Sequence, residues 1–149
     1  MTIVMLPFLA FVNIIVGVPT VTDGDSLRIG ATRIRLEGLD APEIGQSCQI
    51  SGENWRCGAA AADALKEFID AKNVRCEISG KDRYGRSLAR CWLDDWEINS
   101  WMVKSGWALA YRRYSDAYVA EEDQARISRV GLWQSQFVEP WIWRSSKER

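Results

Sequence analysis

Three short segments carry the residue types that hydrolytic chemistry needs: Asp23-Gly24-Asp25, the run from Arg35 through Asp40 to Glu43, and Asp82-Arg83-Tyr84-Gly85-Arg86. Taken singly, each has an ordinary explanation: a turn, a solvated strand face, a hairpin tip. Together they offer carboxylates for a hard cation or a proton acceptor, and arginines whose planar forks bind two phosphate oxygens at once. Histidine is absent from all 149 residues. That excludes Ser-His-Asp hydrolases and His-dependent nucleases and removes the commonest zinc ligand. A hydrolase built from this chain takes its base from Asp or Glu and its electrophilic help from Arg, Lys or a hard metal. With a formal net charge of -1, attraction to a polyanion must come from local Arg and Lys clusters.

The elements that position these groups read first as strands. Ile14 to Val21 is β-branched and apolar, Asp23-Gly24-Asp25 is a turn, and Ser26 to Ile29 places Leu27 and Ile29 on one face. In Thr32 to Leu39, Ile34 and Leu36 alternate with Arg33, Arg35 and Glu37, as in a half-buried strand. Arg33 and Arg35 share its charged face. From Gly58 to Lys72 the apolar spacing becomes helical. Val74 to Ile78 and Ala89 to Leu93 form a hairpin around residues 82 to 85, with Cys76 opposite Cys91 and Ile78 opposite Ala89. Asn99 is placed to cap a short helix through Lys104, and Trp107 to Tyr111 to add a last strand. Ala117 to Val130 reads as a helix with Ala117, Ala120, Ile127 and Val130 inward, followed by a Trp-rich tail. Trp133, Trp141 and Trp143 are assigned to packing of that tail. About five short strands with about three helices suggest an OB-fold barrel within an α+β class, and the length suits one domain.

Four cysteines, Cys48, Cys57, Cys76 and Cys91, lack the Cys-x-x-Cys spacing of zinc knuckles and allow three pairings. The hairpin register selects Cys76–Cys91 and leaves Cys48–Cys57 across a short loop; the alternative is four buried thiols in a cytosolic protein. Two bridges imply an oxidising compartment, periplasmic or secreted. Thr2 to Val12 is an apolar run of signal-peptide length without a preceding Lys or Arg or an A-x-A site. A cleaved leader over residues 1–13, a membrane anchor and a plain core strand stay open, with residues 14–149 as the domain proper.

In order and spacing, VTDGDSLRI, RIRLEGLDAPE, DRYGRSLARCWL and EEDQARISRVGLW resemble the staphylococcal nuclease family, over Ile14 to Trp133. The cysteine-bearing form is similar to an exported bacterial subset. Ala41 stands where the best-known members have Thr. The resemblance implies an OB-fold enzyme cleaving DNA and RNA, preferably single-stranded, to 3′-phosphate products with calcium. It implies calcium on the carboxylates of Asp25 and Asp40 and the main-chain carbonyl of Ala41, with Glu43 as general base. Arg35 and Arg86 match the phosphate-binding arginines, while Arg83 and Tyr84 match contacts to the terminal phosphate and sugar. Tyr111 and Tyr114 are placed either to stack on a base or to pack in the core. A monomer without an obligate protein partner is expected. Two other readings remain: a non-catalytic OB module binding nucleic acid or protein, and an accessory role in cell-envelope or exopolysaccharide biosynthesis. The retained Asp25, Arg35, Asp40, Glu43 and Arg86 favour the enzyme.

Overall fold

The computed structural model describes residues 12–148. The chain enters through strands β1 (Asn13–Gly17) and β2 (Thr20–Asp23), separated at Val18 and Pro19, where proline has no amide to donate to a ladder. β3 (Ser26–Ile29), β4 (Thr32–Leu36) and the two-residue β5 (Leu39–Asp40) follow. A small hairpin of β6 (Cys48–Ile50) and β7 (Glu53–Trp55) precedes helix α1 (Cys57–Ile69). The long hairpin is β8 (Val74–Lys81) and β9 (Ser87–Leu93), then β10 (Trp96–Glu97), α2 (Ile98–Lys104) and β11 (Leu109–Ala110). The chain closes with α3 (Val119–Ser128), a 3-10 turn at Gly131–Gln134 and α4 (Pro140–Lys147).

The main sheet runs β1-β8-β9-β4-β3-β2, with β10 on β9. Because β1 and β2 are consecutive halves of one stretch and lie at opposite ends of that order, the sheet curls round into an OB-like barrel. All its ladders are antiparallel except β4 with β9. Leu27, Ile34, Leu36, Leu65, Ile69, Val74, Met102 and Val103 fill its interior. The α+β class and the OB-like architecture read from the sequence are those of the protein.

Cys76 faces Cys91 and Ile78 faces Ala89, after which the register shifts by one residue before Gly80. Both disulfides form, Cys76–Cys91 with Cα atoms 4.1 Å apart and Cys48–Cys57 with Cα atoms 5.6 Å apart. α1 stops three residues earlier than its apolar spacing suggests, because Asp70 and Ala71 turn to positive φ. Asn99 lies inside α2 and does not cap it. Its buried amide accepts from the Cys91 N–H and donates to the carbonyls of Glu37 and Ala89, stitching the helix to β9. Tertiary pairing overrides the local capping signal there. The inward face of α3 is Glu122 and Ala125, while Ile127 is exposed. Glu122 accepts from the Ala110 N–H and pairs with Arg112, which satisfies a carboxylate that would otherwise be costly to bury. Trp107 to Tyr111 contributes only β11, which pairs with β5 away from the main sheet. The segment beyond Trp133, read as a packing tail, contains helix α4, with Pro140 at its first turn where no amide is needed. The apolar leader lies, through residue 11, outside the described residues, and Asn13 already belongs to β1.

Candidate active site

Alternation along β4 buries Ile34 and Leu36 and turns Arg33 and Arg35 to the other face. Arg35, largely buried, reaches Asp25 Oδ2 at 2.7 Å and Asp40 Oδ1 at 3.2 Å. Asp25 sits in the β2–β3 turn and also accepts from the Ala41 amide at 2.9 Å and the Ser26 hydroxyl at 2.9 Å. Burial pushes its carboxyl up, but the Arg35 charge and these hydrogen bonds outweigh it and hold Asp25 below the ordinary range. Asp40, also buried, is pushed up by burial and by Asp25, against the pull of Arg144 and Arg35. Asp23, on the rim, is raised to about 6 by burial and by the charges of Asp25 and Glu43.

These acids are held by close packing against α1. A Cβ on Gly58 would lie 1.6 Å from the Glu43 carbonyl oxygen, and one on Gly24 would lie 2.9 Å from the Ala41 Cβ. Only glycine lets the turn before Asp25 and the loop carrying Glu43 approach the helix so closely. The Cys48–Cys57 bridge ties the adjoining β6–β7 hairpin to the start of α1, and the Gly58 amide donates to the Gln46 carbonyl.

The β8–β9 hairpin tip brings the second set of basic groups. Asp82 accepts from the backbone amides of Tyr84 and Arg86 and from Arg86 Nε at 2.7 Å, which fixes the direction of that guanidinium. Burial pushes the Asp82 carboxyl up, but these bonds and the Arg86 charge together outweigh it and hold it below its usual range. Arg83 lies over the Tyr84 ring and donates to its hydroxyl, and Arg33 donates to the Tyr84 carbonyl at 2.6 Å. Arg33, which shares the charged strand face with Arg35, therefore braces the tip.

One cleft of about 1610 Å³ joins these parts, and Asp25, Arg35, Glu43, Arg83, Tyr84 and Arg86 all line it. Asp40 and Ala41 do not; both are fully buried behind it. The far wall is Tyr111 and Tyr114, edge to face at 4.8 Å, and the face of Tyr111 is covered by Trp141 at 5.2 Å and 16°. Among the described residues no three His, Cys, Asp or Glu side chains are assembled as a metal cage, because guanidiniums separate the carboxylates. Arg144 of α4 is one of these. It reaches Asp40 Oδ2 at 2.7 Å, Asp40 Oδ1 at 2.9 Å and Glu43 Oε1 at 3.0 Å.

Comparison with known proteins places the sequence in a family. The sequence pattern described as "Staphylococcal nuclease homologue" matches residues 33–135. The chain belongs to the staphylococcal nuclease family. It is 37% identical over 128 residues to the succinoglycan biosynthesis protein ExoI of Rhizobium meliloti, covering 82% of this chain and 66% of that protein. It is 33% identical over 136 residues to an uncharacterized endonuclease of Haemophilus influenzae, covering 86% of this chain and 71% of that one. A staphylococcal-like nuclease of Arabidopsis thaliana, CAN1, is 35% identical over 118 residues, 77% of this chain and 34% of that protein. Family membership and the nuclease names among these relatives support a nuclease at the coarse level.

In this staphylococcal nuclease homologue, the matched region contains Arg35, Asp40, Glu43 and Arg86, while Asp25 precedes it and α4 follows it. Trp141 and Arg144 were missed as site residues because aromatic density suggested packing. Their signal was present: Glu139-Pro140 opens a helix, and residues 141 and 144 are one turn apart on one face.

Proposed function

We propose that this protein is a calcium-dependent phosphodiesterase that cleaves DNA and RNA, with a preference for single strands, to 3′-phosphate products. The observation that carries the reading is the convergence of Arg35, Arg86 and Glu43 on one cleft floored by buried carboxylates. The donors that Asp25, Asp40 and the Ala41 carbonyl offer are all oxygen, a chemistry that suits a hard divalent cation. Asp25, Asp40 and the Ala41 carbonyl would hold it. Calcium there supplies charge that neutralises the phosphodiester and polarises phosphorus.

The chain's own residues do the rest. Arg35 and Arg86 take the phosphate oxygens, staying charged as negative charge builds in the transition state. Glu43 accepts the proton of the attacking water. The water oxygen bonds to phosphorus as the bond to the 5′ oxygen breaks, and that oxygen takes a proton from solvent. Arg83 and Tyr84 meet the terminal phosphate and sugar, and unpaired bases meet the wall formed by the exposed Tyr114 ring and by Tyr111, one face of which is taken by Trp141.

The two disulfides support a compartment outside the cytoplasm. We place the protein in the periplasm or outside the cell as a monomer, with the apolar segment before Asn13 a leader that is removed or kept as an anchor. No helix among the described residues is long and apolar enough to cross a membrane.

Incubation with denatured DNA and with RNA, in calcium or in chelator, tests the function through acid-soluble product. Both polymers are digested in calcium and neither in chelator. Digestion of neither in calcium would instead favour an accessory role, which the similarity to a succinoglycan biosynthesis protein keeps in view.

A further inference from the structure

Arg144 makes more polar contacts to the acidic centre than the nucleolytic reading requires of it. Both of its terminal nitrogens bond the two oxygens of Asp40, and one also bonds Glu43. The Asp40 side chain has no exposed surface, whereas Arg144 is about one-third exposed and lies on the cleft side of it. The guanidinium is thus the lid over the carboxylate. We propose that Arg144 is an internal stand-in for the metal: it neutralises Asp40 and Glu43 when no cation is bound, and a divalent cation must displace it to enter.

Three observations carry this. Of the two guanidiniums that bond Asp40, Arg144 is the more exposed to the cleft, while Arg35 is more deeply buried and is also fixed to Asp25 at 2.7 Å. A divalent ion against a carboxylate that keeps a bidentate guanidinium would meet like charge within a few ångströms, in a site with little water to screen it. The side chain also has somewhere to go. α4 is secured at its start by the Gln46 side chain donating to the Val138 carbonyl, by the Gln49–Gln136 backbone pair, and by Trp141 on Tyr111. Arg144, one turn further on, can therefore swing toward the open cleft without the helix undocking. Without such a counter-charge the buried Asp40 and its acidic neighbours would be strained in the metal-free protein, so the arginine stabilises the empty site and sets the affinity of the filled one.

The inference rests on the metal reading above, and calcium binding measured calorimetrically on parent and Arg144→Gln separates the two. The variant is expected to bind calcium roughly ten-fold tighter, because charge-assisted hydrogen bonds no longer have to be broken. Equal or weaker binding in the variant overturns the stand-in role and leaves the metal site standing. If neither protein binds calcium, the metal reading falls and this inference with it. A second measurement uses the parent alone and is independent of how the variant folds. Phenylglyoxal labelling with peptide mapping should show Arg144 protected in chelator and reactive in calcium. Unchanged labelling of Arg144 on saturation with calcium overturns the proposal.

Discussion

Arg35 stands between two buried carboxylates, and its position divides the labour among the acids. It holds Asp25 as an anion that also fixes the Ala41 amide, while Asp40 is shared with Arg144. Asp40 therefore has a different task from Glu43, which lines the cleft and is only partly covered. If Asp40 holds the proposed calcium, Asp40→Asn removes an anionic oxygen from its shell, so calcium affinity should fall and part of the lost rate should return at high calcium. A calcium titration of cleavage rate checks this; a rate lost equally at every calcium level would take Asp40 out of the shell. That Arg35, Glu43 and Arg86 come together on one cleft, with Asp40 buried behind it, could be read from short motifs whose spacing survives folding. The place of Arg144 could not, because its partners lie 104 and 101 residues away and no local pattern announces such a contact.

At the scale of elements, the site depends on joints between barrel and helices. Asn99 is the clearest: one buried amide satisfies three backbone groups that link α2, β9 and the end of β4. Asn99→Ala leaves the Cys91 N–H and the Ala89 and Glu37 carbonyls without it, and should cost about 3 kcal/mol or more in urea unfolding. A loss below about 1 kcal/mol would mean that water replaces the amide. The strands of the barrel and α1 could be read from apolar period alone, since Leu27, Ile29, Ile34 and Leu36 alternate and Ala61, Leu65 and Ile69 follow helical spacing. The roles of Asn99, Glu122 and α4 could not, because polar residues at those positions are explained only by what packs opposite them. Ile127 shows the converse error: helical spacing made it inward, yet α3 presents Glu122 to the core.

For the whole molecule, two cross-links tie the moving parts of the site to the barrel. Cys76–Cys91 joins the strands that carry the Arg86 tip, and Cys48–Cys57 ties the β6–β7 hairpin, which follows Glu43, to the start of α1. Opening the 15-residue Cys76–Cys91 loop should cost about 3 kcal/mol. Thermal melting of the Cys76→Ala, Cys91→Ala double variant against the parent checks this, and an unchanged midpoint would show that packing alone fixes the hairpin. The central claim is that Glu43 moves the proton while Arg86 stabilises the transferring phosphate. Single-turnover cleavage of a short oligonucleotide at saturating calcium by the parent, Glu43→Gln and Arg86→Lys tests it most directly. The account predicts a fall of roughly two to four powers of ten for Glu43→Gln, and for Arg86→Lys a loss in the chemical step with substrate binding nearly kept. Cleavage at the parent rate by both variants would contradict it.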